Sequence, residues 1–96
     1  MRFGMKSILM TDKKCFRCGT RANLHKHHVF GGYGNRSLSE QYGLWVYLCA
    51  EHHNMGNDSV HQNKERDIEL KQNAQRKFEE AHTREEFMKV FGKNYL

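Results

Sequence analysis

Apolar positions form two helical stripes toward the C-terminal end of the chain, preceded by two short strand-like runs. Leu70, Ala74 and Phe78 recur at i, i+4 and i+8, with Ile68 and Ala81 nearby, a spacing that lays one apolar face along a helix. Ser59-Val60-His61-Gln62 has the serine-to-glutamine spacing of a capping box, which predicts a long helix from Val60 to about His82. Thr83-Arg84-Glu85-Glu86 carries a second capping box and predicts a shorter helix whose stripe is Phe87, Val90 and Phe91. Upstream, Leu44 to Cys49 is rich in β-branched and aromatic residues and reads as a strand. His25 to Phe30, stopped by Gly31-Gly32, reads as another. Lys6 to Thr11 suggests a further short strand, Ser37 to Tyr42 a helical turn, and Glu51 to Met55 a helix start interrupted near Gly56. The predicted class is α+β, without internal repeat, low-complexity segment or proline.

Size and polarity sharpen this picture. Ninety-six residues make one domain with a modest core. A mean hydropathy of −0.91 and 28% charged residues leave so short a chain in need of a staple, for which a structural metal is a standard solution. No apolar run approaches the roughly 18 residues of a membrane span. The opening Met1 to Met10 has too short an apolar stretch, and no cleavage site, for a secretory signal. Three cysteines argue against a full disulfide framework. The expected location is cytoplasmic.

Charge is unevenly spread. Residues 1–36 hold eight basic side chains against one acidic, a net of +7, whereas residues 37–96 hold eight against ten, a net of −2. The basic half suits a polyanion such as nucleic acid, though a solvated, lysine-rich surface has the same composition.

That half also carries most of the candidate chemistry. Cys15-x2-Cys18 and Cys49-x2-His52 are two ligand pairs with zinc spacing, separated by 30 residues. Pairs two residues apart can occupy adjacent corners of a tetrahedron, so three thiolates and one imidazole make a structural zinc site. The competing reading, three small buried cysteines, has to treat both spacings as chance. Six more histidines exceed what one structural metal requires. His27 and His28 are neighbours on a strand and leave it on opposite faces. His53 follows His52 and so points about 100° away around a helix. A metal between His27 and His53, with His28 free beside it, would make a hydrolytic centre in which the free imidazole takes a proton from water. His61 is a further candidate ligand or phosphate contact, with an ordinary surface position as the alternative. His25 shares a strand face with His27, which leaves support of a ligand or simple packing open to it, with packing favoured, and His82 reads as an ordinary helix-end residue.

The ordered set Cys15/Cys18, His27-His28, Cys49/His52 and His53 resembles the HNH endonucleases, also called ββα-metal or His-Me finger nucleases. His27-His28-Val29-Phe30-Gly31-Gly32 and Val60-His61-Gln62-Asn63-Lys64 look like small phage and prophage members of that family. There is a fainter similarity to recombination-enhancement nucleases. The resemblance covers about residues 13–64 and implies a treble-clef-like core stapled by zinc, with residues 65–96 as a helical extension. It implies metal-dependent hydrolysis of DNA phosphodiesters, leaving 5′-phosphate and 3′-hydroxyl ends. It further implies His27 and His53 as ligands of the catalytic ion and His28 as general base. The family commonly places an asparagine before the second strand to orient the base, but Gln41-Tyr42-Gly43-Leu44 has none. Tyr42 or a backbone carbonyl is left for that role.

An imidazole-rich site favours zinc, nickel, cobalt or manganese over magnesium, while the family implies magnesium or manganese. The expected cofactors are therefore a structural Zn²⁺ and a catalytic Mg²⁺, Mn²⁺, Ni²⁺ or Zn²⁺. Arg17, Arg21, Lys26 and Arg36 are the candidate DNA contacts, binding backbone charge rather than bases. A domain this small has little surface for reading a long site, so a homodimer or a phage or recombination partner protein is the expected source of targeting. The rival function is a non-catalytic zinc module that binds nucleic acid or protein.

Overall fold

The computed structural model describes residues 6–96. Residues 1–5, the beginning of the stretch assessed for a leader, lie outside it. The fold is α+β: a two-stranded antiparallel sheet with helices packed around it. Strand β1 is Leu24–His28 and strand β2 is Trp45–Cys49, paired with His25 opposite Leu48, His27 opposite Val46 and His28 opposite Trp45. Helix α1, Asn35–Tyr42, fills the connection between them. After β2 comes a wide, π-helical turn, Glu51–Met55, closed by the Gly56 amide donating to the Glu51 carbonyl at 2.9 Å. Helices α2, Lys64–Phe78, and α3, Arg84–Phe91, complete the chain. Among the described residues no helix is long and apolar enough to cross a membrane.

The core follows the predicted stripes. Val46 and Leu48 from the sheet, together with Val29, Phe30 and Leu44 beside it, meet Leu70, Ala74 and Phe78 of α2 and Phe87 and Phe91 of α3. Phe30 sits at the centre of an aromatic cluster, 4.5 Å from the Phe91 ring and 5.3 Å from Phe87, while Phe78 lies 5.3 Å from Phe87. Such ring pairs add to what their burial alone contributes. Ile68 is half-buried and Ala81 exposed, so the α2 stripe is narrower than its sequence suggests.

Two elements differ from expectation, each for local reasons. Lys6 to Thr11 forms no strand. It lies along the outer edge of β2, where the Ile8 amide donates to Gly43 at 2.9 Å and the Tyr47 amide meets the Met10 sulfur at 3.2 Å, so side chains stand in for a ladder. Gly43 permits the approach: its φ is +71°, and a Cβ there would sit 2.5 Å from the Lys6 carbonyl. Helix α2 begins at Lys64 rather than Val60. Ser59 does accept from the Gln62 amide at 3.2 Å. However, the Val60 and His61 amides donate backward to the His52 and His53 carbonyls, at 3.0 and 3.1 Å, and the chain folds onto the wide turn. Asn63 caps α2 instead, accepting from the Glu65 and Arg66 amides. The helix also ends sooner, at Phe78, and a short turn leads to the Thr83 capping box, which is complete.

Two buried polar side chains pin the periphery. Ser39 of α1, fully buried, donates to the Phe30 carbonyl at 2.8 Å and accepts from the Phe30 amide at 3.1 Å. Gln75 of α2, also fully buried, donates to Glu79 and Asn94 and accepts from the Tyr95 amide, tying down the C-terminal tail. Ser39→Ala strands both backbone groups of Phe30, and we expect it to cost about 1–3 kcal/mol. Thr83→Ala, which removes only an exposed cap, should cost about 1 kcal/mol. Urea unfolding at saturating zinc would rank the two.

Candidate functional site

The first cluster is built by two turns brought to the end of the sheet. In the knuckle, the Cys15 amide donates to Thr20 at 2.8 Å and the Gly19 amide returns to the Cys15 carbonyl at 2.9 Å, with Gly19 at φ +80°. The Phe16 amide donates to the Tyr47 carbonyl at 2.8 Å and docks this knuckle on the edge of β2. Cys49 ends β2, and His52 stands on the wide turn that follows. Cys18 Sγ lies 3.8 Å from Cys49 Sγ, and His52 Nδ1 lies 3.6 Å from Cys15 Sγ and 3.3 Å from Cys49 Sγ. A tetrahedral zinc with bonds of about 2.3 Å to sulfur and about 2.0–2.1 Å to nitrogen has edges of about 3.8 Å between sulfurs and about 3.6 Å from sulfur to nitrogen. All four ligand atoms lie within 4.8 Å of one another, and the three thiols are free. Burial pushes the Cys15 thiol up, but the amides of Cys49, Cys18 and Arg17 and the His52 ring outweigh it and hold the thiol down at about 6. Three sulfurs this close cannot all carry charge without a cation among them. The cluster is compatible with a structural zinc.

The second cluster consists of imidazoles. His27 points inward from β1, 7% exposed, and its Nε2 is buried without a hydrogen-bond partner. His53 leaves the wide turn on a different side from His52, and the backward bonds from Val60 and His61 set His61 beside it. His53 Nε2 and His61 Nε2 are 3.2 Å apart, and the His27 ring lies 5.3 Å, centroid to centroid, from each of the other two. One nitrogen from each ring falls within 4.8 Å of the others. Nitrogen ligands of a tetrahedral zinc would be about 3.3 Å apart. Burial, reinforced by His53 and His61, drives the His27 pKa down to about 3. Burial first, then His61 and His25, lowers that of His53. Both rings are thus neutral near pH 7, the form that ligates metal. An orphaned buried nitrogen beside the His53 and His61 rings suits a divalent cation.

His25 does more than pack. Its Nδ1 lies 2.8 Å from His53 Nδ1, with the rings edge to face, so it orients His53 from behind and leaves Nε2 toward the cluster. Ligand histidines usually have such a partner on the second nitrogen. His82 stacks on Phe78 at 4.4 Å, away from the cluster, as an ordinary helix-end residue would.

His27, His28, His53 and His61 all line one open cleft of about 760 Å³. His28, on the opposite strand face from His27, has its Nε2 2.8 Å from Glu40 Oε1 of α1. Lys26 reaches the same carboxylate, at 2.8 and 2.9 Å, with its ammonium 4.1 Å above the Trp45 ring. The rim is basic: Lys26, Arg36, Lys64 and Lys71 line it, Lys71 being paired to Asp67 at 2.8 Å. Arg36 and Lys64 have no ion pair among the described residues. Of the basic residues singled out by sequence, Lys26 and Arg36 border the cleft, whereas Arg17 and Arg21 do not. Arg17 pairs with Asp58 at 2.9 Å, and Arg21 donates to the Lys13 carbonyl at 3.3 Å.

Glu40, Lys64 and Lys71 escaped the sequence reading. Lys64 and Lys71 are seven apart on α2 and therefore share a face, a signal that was present in the spacing. Glu40 gave none, because its partner lies 12 residues away across a connection of unknown path. No protein-family model, curated protein or solved structure matches this chain.

Protein purified without chelators should carry one tightly bound zinc per chain. Metal analysis should show that Cys49→Ser removes it, and circular dichroism should show unfolding on chelation, because binding energy here is folding energy. In the zinc-loaded protein, calorimetric titration with Ni²⁺ should reveal one further site. His25→Ala should weaken that site by about 10–100-fold, and His61→Ala should weaken it further, with zinc content unchanged in both.

Proposed function

We propose that this chain is a metal-dependent endonuclease of the HNH type, hydrolysing phosphodiester bonds in DNA on a ββα-metal core stapled by zinc. The observation that carries the reading is the convergence of His27, His53 and His61, with His28 lining the same basic-rimmed cleft. Histidines that merely packed would be hydrogen-bonded, whereas His27 Nε2 is buried without a partner. That contrast weighs against a non-catalytic zinc module.

His27, His53 and His61 would hold the catalytic ion. A divalent cation supplies Lewis-acid polarisation of a phosphoryl oxygen and charge near the leaving oxygen. His28 accepts a proton from water, and the resulting hydroxide attacks phosphorus in line with the departing 3′ oxygen. The P–O3′ bond breaks, the phosphate stays on the 5′ side, and the 3′ oxygen takes its proton from solvent. Arg36 and Lys64 bind flanking phosphates, giving affinity with little base preference.

A plasmid-nicking assay with Mg²⁺, Mn²⁺, Ni²⁺ or Zn²⁺ tests this. Wild-type protein should nick supercoiled DNA with at least one of these ions. His28→Ala should lower kcat by about 10²–10⁴-fold, the usual contribution of a general base, with zinc content and fold retained. Equal cleavage by that variant would remove His28 from the base role.

A further inference from the structure

We propose that Glu40 is the positioning residue for His28: its carboxylate accepts the Nε2–H of the imidazole and so fixes the tautomer whose Nδ1 lone pair receives the proton from water. The inference rests on the endonuclease reading for its functional part, and on hydrogen-bond chemistry for its structural part.

The Nε2 to Oε1 distance is 2.8 Å. An ionised carboxylate only accepts hydrogen bonds, so the proton of a neutral imidazole must lie on the nitrogen that faces it. Glu40 is kept in that ionised form. The Lys26 ammonium, within hydrogen-bond reach of both oxygens, outweighs partial burial and holds the carboxyl below its ordinary range, with His28 adding to the effect. Among the described residues Nδ1 is then the ring nitrogen without a hydrogen-bond partner, on a side chain that lines the cleft.

The backbone that carries the carboxylate is anchored on both sides, as an orienting group requires. The preceding residue, Ser39, clamps both backbone groups of Phe30, two residues beyond His28. The following turn is closed by the left-handed Gly43, whose amide donates back to the Glu40 carbonyl at 3.4 Å. Glu40 is therefore fixed between two anchors, on the side of α1 that faces β1.

Tyr42, the nearby alternative from sequence, faces elsewhere. Its ring packs 5.5 Å from Phe78, 5.9 Å from His82 and 6.4 Å from Phe91, within the aromatic cluster. Lys26, in turn, acts on the site through Glu40 as well as through its own charge at the rim.

The test uses the full, zinc-loaded chain and its Glu40→Ala and Lys26→Ala variants. Long-range ¹⁵N–¹H spectra read which nitrogen of His28 bears the proton, and nicking kinetics are measured alongside. Wild-type His28 should be protonated at Nε2, and Lys26→Ala should keep that tautomer because the carboxylate remains. Glu40→Ala should give mixed tautomers and lower kcat by about 10–100-fold, the scale expected for a misplaced catalytic group, with KM and zinc content unchanged. Protonation of wild-type His28 at Nδ1, or an unchanged tautomer in Glu40→Ala, overturns the assignment. Active wild-type protein matched by equally active Glu40→Ala overturns the positioning role alone. Metal-loaded wild-type protein that cuts no DNA overturns the endonuclease reading, whatever the spectra show.

Discussion

Four side-chain atoms, the sulfurs of Cys15, Cys18 and Cys49 and Nδ1 of His52, meet where the knuckle, the end of β2 and the wide turn come together. Without a cation these groups would repel or stay partly protonated. With one, they form a cross-link between segments more than thirty residues apart in sequence. Among the described residues the sheet has two strands, which have little independent stability, and its outer edge is covered by residues 6–11 and by the knuckle. The aromatic cluster of Phe30, Phe78, Phe87 and Phe91 belongs to the same core as Cys15 and Cys49, so the metal-ligand turns and the helices share one packed interior.

The cleft gains its order from backbone geometry as much as from side chains. His61 reaches His53 because the residues after Gly56 fold back, with Val60 and His61 donating to the carbonyls of His52 and His53. Those two bonds delay the start of α2 and spend a capping signal on a single turn. A π-helical turn of this sort is uncommon and is often found at functional sites. Here it allows consecutive histidines to serve two different clusters.

Features set by short-range spacing were legible in the sequence. The paired ligands of the knuckle and of the β2 end lie within one turn each, so spacing alone brings them together. The Phe87/Phe91 stripe and the Thr83 cap are likewise local, and both are present. The strands were placed to within a residue or two, because the apolar run of β2 and the Gly31-Gly32 stop are strong signals. Features set by the path of a connection were not legible. Glu40 meets His28 only because Ser39 anchors α1 on Phe30, and no periodicity encodes that. For His25 the sequence leaves packing and support of a ligand both open, since a strand pattern gives its face but not what the wide turn brings opposite it. Lys6 to Thr11 has strand-like residues, yet Met10 supplies sulfur where a strand would supply a carbonyl.

The adjacency of His52 and His53 has a thermodynamic corollary. A cation gripping His52 would also fix the peptide from which His53 projects, so filling the thiolate cluster would reduce the disorder that the imidazole cluster has to lose to hold an ion of its own. Linkage is symmetric: whatever factor the first ion contributes to the second's affinity, the second returns to the first. Two candidate metal clusters joined by one peptide bond would then form a single cooperative unit, in which fold stability and occupancy of the imidazole cluster rise and fall together.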